Sequence, residues 1–244
     1  MLEVKNLSYK IKDKIILDDI SFKLDNKINI LLGLNGAGKS TLFKCIMQQL
    51  AYLGLIEFNS LNLKDLSIKE RASKIAFIPQ NTSIYFDFSV KEIISFFAFA
   101  EGKYFHKNTK SDDLVVEQIA SMLNITHLLN KPFNAISGGE QKISLIASAL
   151  AKDCEILIFD EPMAFLDLSK EYLLLEIFKK LDKCIFFSTH NPFNTIDFNT
   201  IILHDRKILK SGKNILNDEL LQEIYNLNIG LDKFNNHKKH FMNL

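Results

Sequence analysis

No apolar run in this chain is long enough to cross a bilayer as a helix. The longest candidate, Ile93–Ala100, is far short of the ~20 residues a span needs. The opening residues Met1-Leu2-Glu3-Val4-Lys5 contain no basic stretch leading into an apolar one, so no signal peptide is expected. Cysteine is scarce. Cys45, Cys154 and Cys184 are scattered, odd in number and in no metal-ligand spacing, which argues against a metal site or a disulfide framework. Cys45 and Cys184 lie in apolar surroundings and are expected to be packed, reduced thiols, with the protein in the cytoplasm. An excess of either charge is also missing. Thirty Lys and Arg against 29 Asp and Glu leave a net charge of +1, so nothing global points to nucleic acid. There is no internal repeat and no low-complexity segment. What the chain does have is length for one large domain or two small ones, 244 residues, and a hydrophobic share of 47%, enough for a core.

One stretch organises the rest: Gly33-Leu34-Asn35-Gly36-Ala37-Gly38-Lys39-Ser40-Thr41. It fits a phosphate loop, a glycine and four residues before Gly-Lys-Ser. The apolar run Ile28–Leu32 before it reads as a buried strand, and Thr41–Leu50 behind it has helical spacing. Strand, tight loop and helix are the context this motif requires. The glycines let backbone N–H groups turn inward, and a helix start adds partial positive charge where phosphates would sit. Lys39 is expected to reach the β and γ phosphates, and the Ser40 hydroxyl to ligate Mg²⁺, a hard ion that takes oxygen. A chance glycine-rich turn is the competing reading, and the flanking elements weigh against it.

Leu2–Leu7 and Ile15–Leu24 read as strands around the turn Lys12-Asp13-Lys14. With Ile28–Leu32 and Leu55–Phe58 they suggest an antiparallel edge near the phosphate loop. Lys64–Ser73 is expected to be helical, and Lys74–Ile78 a buried strand ended by Pro79-Gln80. From residue 81 to about 135 the spacing suggests a mostly helical insertion, with helices over Val90–Ala100 and Leu114–Leu123 and a polar linker, His106–Ser111. Phe86, Phe88, Phe96, Phe97, Phe99, Tyr104 and Phe105 crowd this region, either as the core of a small subdomain or as a surface that docks another protein. Ile136–Glu140 opens a helix running to Ala151, another glycine- and serine-bearing helix start suited to phosphate. Glu155–Phe159 is a strand ending in Asp160-Glu161-Pro162. The helix Leu168–Leu181, the strand Cys184–Thr189 closing on His190, a hairpin over Thr200–Leu203 and Lys207–Leu209, and the helix Leu216–Leu227 complete the order. Residues 235–244 read as a frayed tail, in which His237 and His240 are better explained as solvated than as metal ligands. The core is expected in residues 1–80 and 136–230 of a single domain, 1–244.

Alternating buried strands and helices imply a largely parallel sheet covered on both faces, with ligand beyond the strands' carboxyl ends. The phosphate loop, Gln80, Asp160–Glu161 and His190 all follow apolar strands. Phosphoryl transfer to water needs charge neutralisation and a positioned water. Asp160 is expected to hold Mg²⁺ through its water shell, and Glu161 to polarise the attacking water. Gln80 could ligate Mg²⁺ and sense the γ phosphate, and His190 could hydrogen-bond that phosphate. Singly, each has a plain explanation: a strand-end aspartate often caps a turn, and a lone histidine is more often structural.

In order, Gly33–Thr41, Gln80, Ile136–Glu140, Ile156–Glu161, Leu166-Asp167 and His190 resemble the ATP-binding cassette (ABC) ATPase family over roughly residues 2 to 228. The Ser137-Gly138-Gly139 signature is the most specific part. The resemblance implies the α/β phosphate-loop NTPase fold of an ABC cassette: a mostly parallel sheet, antiparallel edge strands and a helical insertion subdomain. It further implies a head-to-tail homodimer holding two ATP molecules, each between Lys39 of one chain and Ser137, Gly138, Gly139 and Glu140 of the other, with Leu166-Asp167 as the D-loop. By spacing, the adenine-stacking position falls at Ile11, and Tyr9 on the same strand face could substitute. More finely, Ala72–Val90, Leu166-Asp167-Leu168 and Asp218–Tyr225 look like the ATPases of iron-chelate, haem and vitamin B12 importers. That likeness implies a peripheral subunit on the cytoplasmic face of the inner membrane, bound to a separate permease dimer whose coupling helices meet the helical insertion. A periplasmic binding protein would deliver the cargo. ATPases of other transporters are the alternative, as are non-transport relatives acting on nucleic acid or ribosomes. The latter usually need a long coiled coil or two cassettes, and near-zero net charge disfavours nucleic acid.

Overall fold

The computed structural model describes residues 1–24, 27–98, 110–195 and 197–226. Among these, the chain runs through β1 (Leu2–Ile11), β2 (Lys14–Lys23), β3 (Ile28–Leu32), α1 (Lys39–Ile46), β4 (Leu53–Phe58) and β5 (Leu61–Asn62). Then come α2 (Ile68–Lys74), β6 (Ile75–Ile78), α3 (Val90–Ala98), α4 (Lys110–Met122), α5 (Gly138–Ala151), β7 (Ile156–Phe159) and α6 (Leu168–Lys180). The chain continues through β8 (Cys184–Thr189), β9 (Asn199–His204), β10 (Lys207–Lys213) and α7 (Asp218–Tyr225). The expected tail 235–244 with His237 and His240, the aromatics Phe99, Tyr104 and Phe105, and most of the 106–111 linker lie outside the described residues.

Two compact units divide the chain: Met1–Leu63 with Ser188–Leu244, and Lys64–Phe187. In the first, β2, β1, β4 and β5 form an antiparallel sheet in that order. Leu2, Val4, Leu7, Leu17, Ile20, Ile56 and Phe58 are buried, each such side chain contributing about 1.5–3 kcal/mol. Tyr9 pairs with Leu17 and Lys10 with Ile15, so β2 carries one extra residue, Ile16. Such a bulge bends the strand locally.

Contrary to the expectation from sequence, β3 does not join this antiparallel sheet. It pairs in parallel with β9, Leu31 opposite Ile201 and Leu32 opposite Ile202. All five of its residues are buried, as befits a strand covered on both faces rather than an edge with one wet side. Leu32 and Ile202 pack against Leu220 and Ile224 of α7. Strand β10 adds antiparallel to β9, making the expected hairpin.

In the second unit β8, β7 and β6 are parallel neighbours in that order, with Phe159 opposite both Phe187 and Ile78. Phe178 of α6 stacks on Phe159 at 5.2 Å between ring centres and leans on Phe187 at 6.1 Å. Helix α2 begins at Ile68, later than expected, because Ser67 caps it. Its hydroxyl accepts from Glu70 N while Glu70 accepts from Ser67 N. Aliphatic side chains make the core here, with Val90, Ile93 and Ile94 buried, whereas the aromatics Phe86, at 70% exposure, Phe88 and Phe96 lie on the surface. Their rings form a chain, with 5.9 Å between Phe86 and Phe88 and 6.4 Å between Phe88 and Phe96.

Candidate nucleotide site

Helix α1 starts directly behind Gly38, which has φ 108 and gives no side-chain cap. No capping side chain takes up its first N–H groups, a helix start of the kind that suits an anion. A Cβ on Gly38 would stand 3.0 Å from Leu17 Cδ2 and 3.3 Å from the Ile16 carbonyl, so the bulge of β2 presses on the loop where only glycine fits. Lys39 is 6% exposed. Its ammonium donates to the carbonyls of Gly33 at 2.8 Å and Leu34 at 3.1 Å, so the loop curls around its own lysine. Leu34, Asn35 and Gly36 face solvent, and Ala37, Ser40 and Thr41 are half-buried.

His190 comes to the same loop. Gly33 N donates to the Thr189 carbonyl at 3.2 Å, tying the loop entrance to the end of β8. The next residues turn away through Asn191, whose N–H donates to Thr189 Oγ1 and whose Oδ1 accepts from Phe193 N, both at 3.0 Å. Leu34, Asn35, His190, Asn191, Pro192 and Tyr225 line one open hollow of ≈ 550 Å³. Tyr225 of α7 donates its hydroxyl to the His190 carbonyl at 2.8 Å. Tyr9 and Ile11 lie on β1, opposite Leu17 and Lys14. Tyr9 is half-buried and Ile11 51% exposed.

Within the second unit the strand ends gather Gln80, Asp160 and Glu161. Asp160 N donates to the Ile78 carbonyl at 2.9 Å. Both acids are buried, Glu161 at 6% exposure, and Glu161 holds φ 50, a left-handed conformation costly for a residue with a side chain. Gln80 is exposed. Lys142, to which the motifs give no role, joins the ends of the two strands. It is 5% exposed, and its ammonium donates to the carbonyls of Pro79 at 3.3 Å, Gln80 at 3.2 Å and Asp160 at 3.3 Å. Burial pulls its pKa down to about 8, with Asp160 and Glu161 opposing that shift. In the sequence it stands as a lysine shortly after Ser137-Gly138-Gly139 in an otherwise largely apolar helix.

Helix α5 starts at the Ser-Gly-Gly stretch as expected. Ser137 caps it, its Oγ accepting from Glu140 N at 3.3 Å and donating to Glu140 Oε2 at 2.7 Å, while Ser137 N donates to the same carboxylate at 2.8 Å. These bonds hold the Glu140 carboxyl below its usual pKa. Gly138 has open space where a Cβ would stand, whereas at Gly139 a Cβ would come within 2.8 Å of the Phe165 carbonyl. The loop through Phe165 thus packs against the signature. Phe165 itself is 76% exposed at φ 69. Asp167 caps α6, accepting from Lys170 N at 3.0 Å and Ser169 Oγ at 2.6 Å, which holds its carboxyl far below the usual range.

Positions 17–164 match the family model described as ABC transporter. The probable iron chelatin transport ATP-binding protein of Helicobacter pylori is 32% identical over 225 residues, covering 85% of this chain and 85% of its own length. The molybdate import ATP-binding protein MolC of Haemophilus influenzae is 31% identical, covering 93% and 88%. Among solved structures, a metal-chelate type ABC transporter in an inward-facing conformation superposes with a TM-score of 0.78 at 29% identity, over 93% of this chain and 89% of that one. The chain has the α/β cassette fold and belongs to the ABC transporter family as an ATP-binding subunit, an ATPase.

Proposed function

We propose that this chain is the ATP-hydrolysing subunit of an importer for iron(III) chelates, haem or cobalamin, working on a separate membrane permease. The observation that carries this is near full-length similarity to the iron chelatin transport protein, supported by the metal-chelate type structure at 29% identity. The molybdate relative favours a second reading, an importer of another metal-containing anion.

In the phosphate loop, Gly33, Asn35, Gly36, Ala37, Gly38, Lys39 and Thr41 are assigned to the phosphates. The open N-terminus of α1 and the enclosed Lys39 ammonium fit an anionic ligand. The Ser40 hydroxyl is assigned to Mg²⁺. In the second unit Asp160 and Gln80 are assigned to Mg²⁺ also, since carboxylate and amide oxygens are what that ion takes. Bound Mg²⁺ would neutralise charge developing on the transferred phosphoryl group. Glu161, buried and fixed in its left-handed turn, orients and polarises the attacking water. His190 donates to the γ phosphate. Ser137, Gly138, Gly139 and Glu140 meet the nucleotide of a second copy in a head-to-tail homodimer, and Tyr9 or Ile11 meets adenine. The exposed rings of Phe86, Phe88 and Phe96 give the permease an apolar seat on the cytoplasmic face of the membrane. Among the described residues no helix is long and apolar enough to cross a membrane, in keeping with a peripheral subunit.

Co-purification from membranes with an integral permease, and loss of growth on a chelated iron, haem or cobalamin source after deletion, are the expected results. Growth impaired only on molybdate would replace the substrate assignment with the second reading.

A further inference from the structure

We infer that Lys142 is a positioning residue: it pins the backbones of Gln80 and Asp160 to the helix headed by Ser137-Gly138-Gly139 and so aims the side chains assigned to Mg²⁺·ATP. The inference rests on the ATPase reading above and adds to it a residue that no motif marks.

A lysine at 5% exposure has given up its hydration and persists only with acceptors to replace the water. Lys142 has three such acceptors, matching the three N–H bonds of an ammonium. They are not scattered. Pro79 and Gln80 directly follow β6, and Asp160 directly follows β7, so one side chain closes the ends of two neighbouring strands. Its own backbone lies in α5, five residues after Ser137, which caps the same helix. The acceptors are main-chain carbonyls, so Lys142 fixes the backbone that aims the Gln80 and Asp160 side chains. Supporting groups of this kind typically cost about 10–100-fold in metal affinity or activity when removed.

The test compares the full chain with Lys142→Met, Lys142→Gln and Lys142→Arg. Three quantities are read: ATP affinity without divalent ion, the Mg²⁺ concentration giving half-maximal tightening of ATP binding, and kcat. Lys142→Met should keep metal-free ATP affinity within about two-fold, raise the half-maximal Mg²⁺ at least about five-fold and lower kcat at least about ten-fold. Lys142→Arg, which keeps a cation with N–H donors, should recover most of both losses. If Lys142→Met does not fold, Lys142→Gln carries the same comparison. A neutral variant with kcat and Mg²⁺ response both within about two-fold of wild type overturns the inference alone. So does a loss of kcat with the Mg²⁺ response unchanged and no rescue by arginine. A wild-type chain that binds ATP but turns none over would overturn the ATPase reading itself, and this inference with it.

Discussion

The thiols show how far burial alone decides reactivity. Cys45 is fully buried, and desolvation pushes its pKa up to about 12. Cys154 is also buried and raised, whereas Cys184 is half-buried. Alkylation of the native protein near neutral pH should therefore label Cys184 first and Cys45 only on unfolding, as peptide mass mapping would show. Early labelling of Cys45 would contradict the packing of α1. At Gly38, φ 108 and the contact with Leu17 make Gly38→Ala costly, about 1–3 kcal/mol by denaturant unfolding, with ATP affinity falling as well. The phosphate loop, the strand-end acids and His190 could be picked out from residue order because their types are chemically distinctive and each follows an apolar strand. Lys142 and Tyr225 could not. A lysine in a helix usually faces water, and only folding shows that Lys142 turns inward or that Tyr225 reaches the His190 carbonyl.

Among the elements, α5 carries the most informative cap. Ser137→Ala removes the hydroxyl that accepts Glu140 N and should cost about 1 kcal/mol of stability. Glu140 gives this cap a pH dependence. Its carboxyl is held below its unfolded value, first by the Ser137 side-chain bond and then by the Ser137 backbone bond. The stabilisation is thus fully present above the ordinary carboxylate range and is lost only as pH falls through the depressed folded value. Unfolding midpoints of wild type and Glu140→Gln should diverge above about pH 5 and converge in strong acid; a gap that widens in acid would reverse the sign argued here. Most strands and helices could be anticipated from periodicity, because continuous apolar runs marked β3, β7 and β8. The partnership of β3 could not be, since a buried run says that both faces are covered but not which strand lies alongside. The start of α2 was readable in principle from Ser67 and Glu70. The bulge at Ile16 was not, because it depends on register across the β1–β2 pair.

At the scale of the whole molecule, function is proposed to need two copies, since a signature helix and a phosphate loop would serve one nucleotide from different chains. Glu161 is the group on which hydrolysis should turn. Glu161→Gln should lower kcat at least about 100-fold while leaving ATP affinity near wild type, since the phosphate loop is untouched. Coupled loss of binding and turnover would instead mean that the substitution had disturbed the turn at φ 50. The central claim is tested most directly by measuring the mass of Glu161→Gln in solution, by sedimentation or light scattering, with and without Mg²⁺·ATP. A monomer that becomes a dimer on adding nucleotide, and fails to do so when Ser137 is also replaced by a bulky residue, is the predicted result. A variant that binds ATP yet stays monomeric at saturating nucleotide would contradict it.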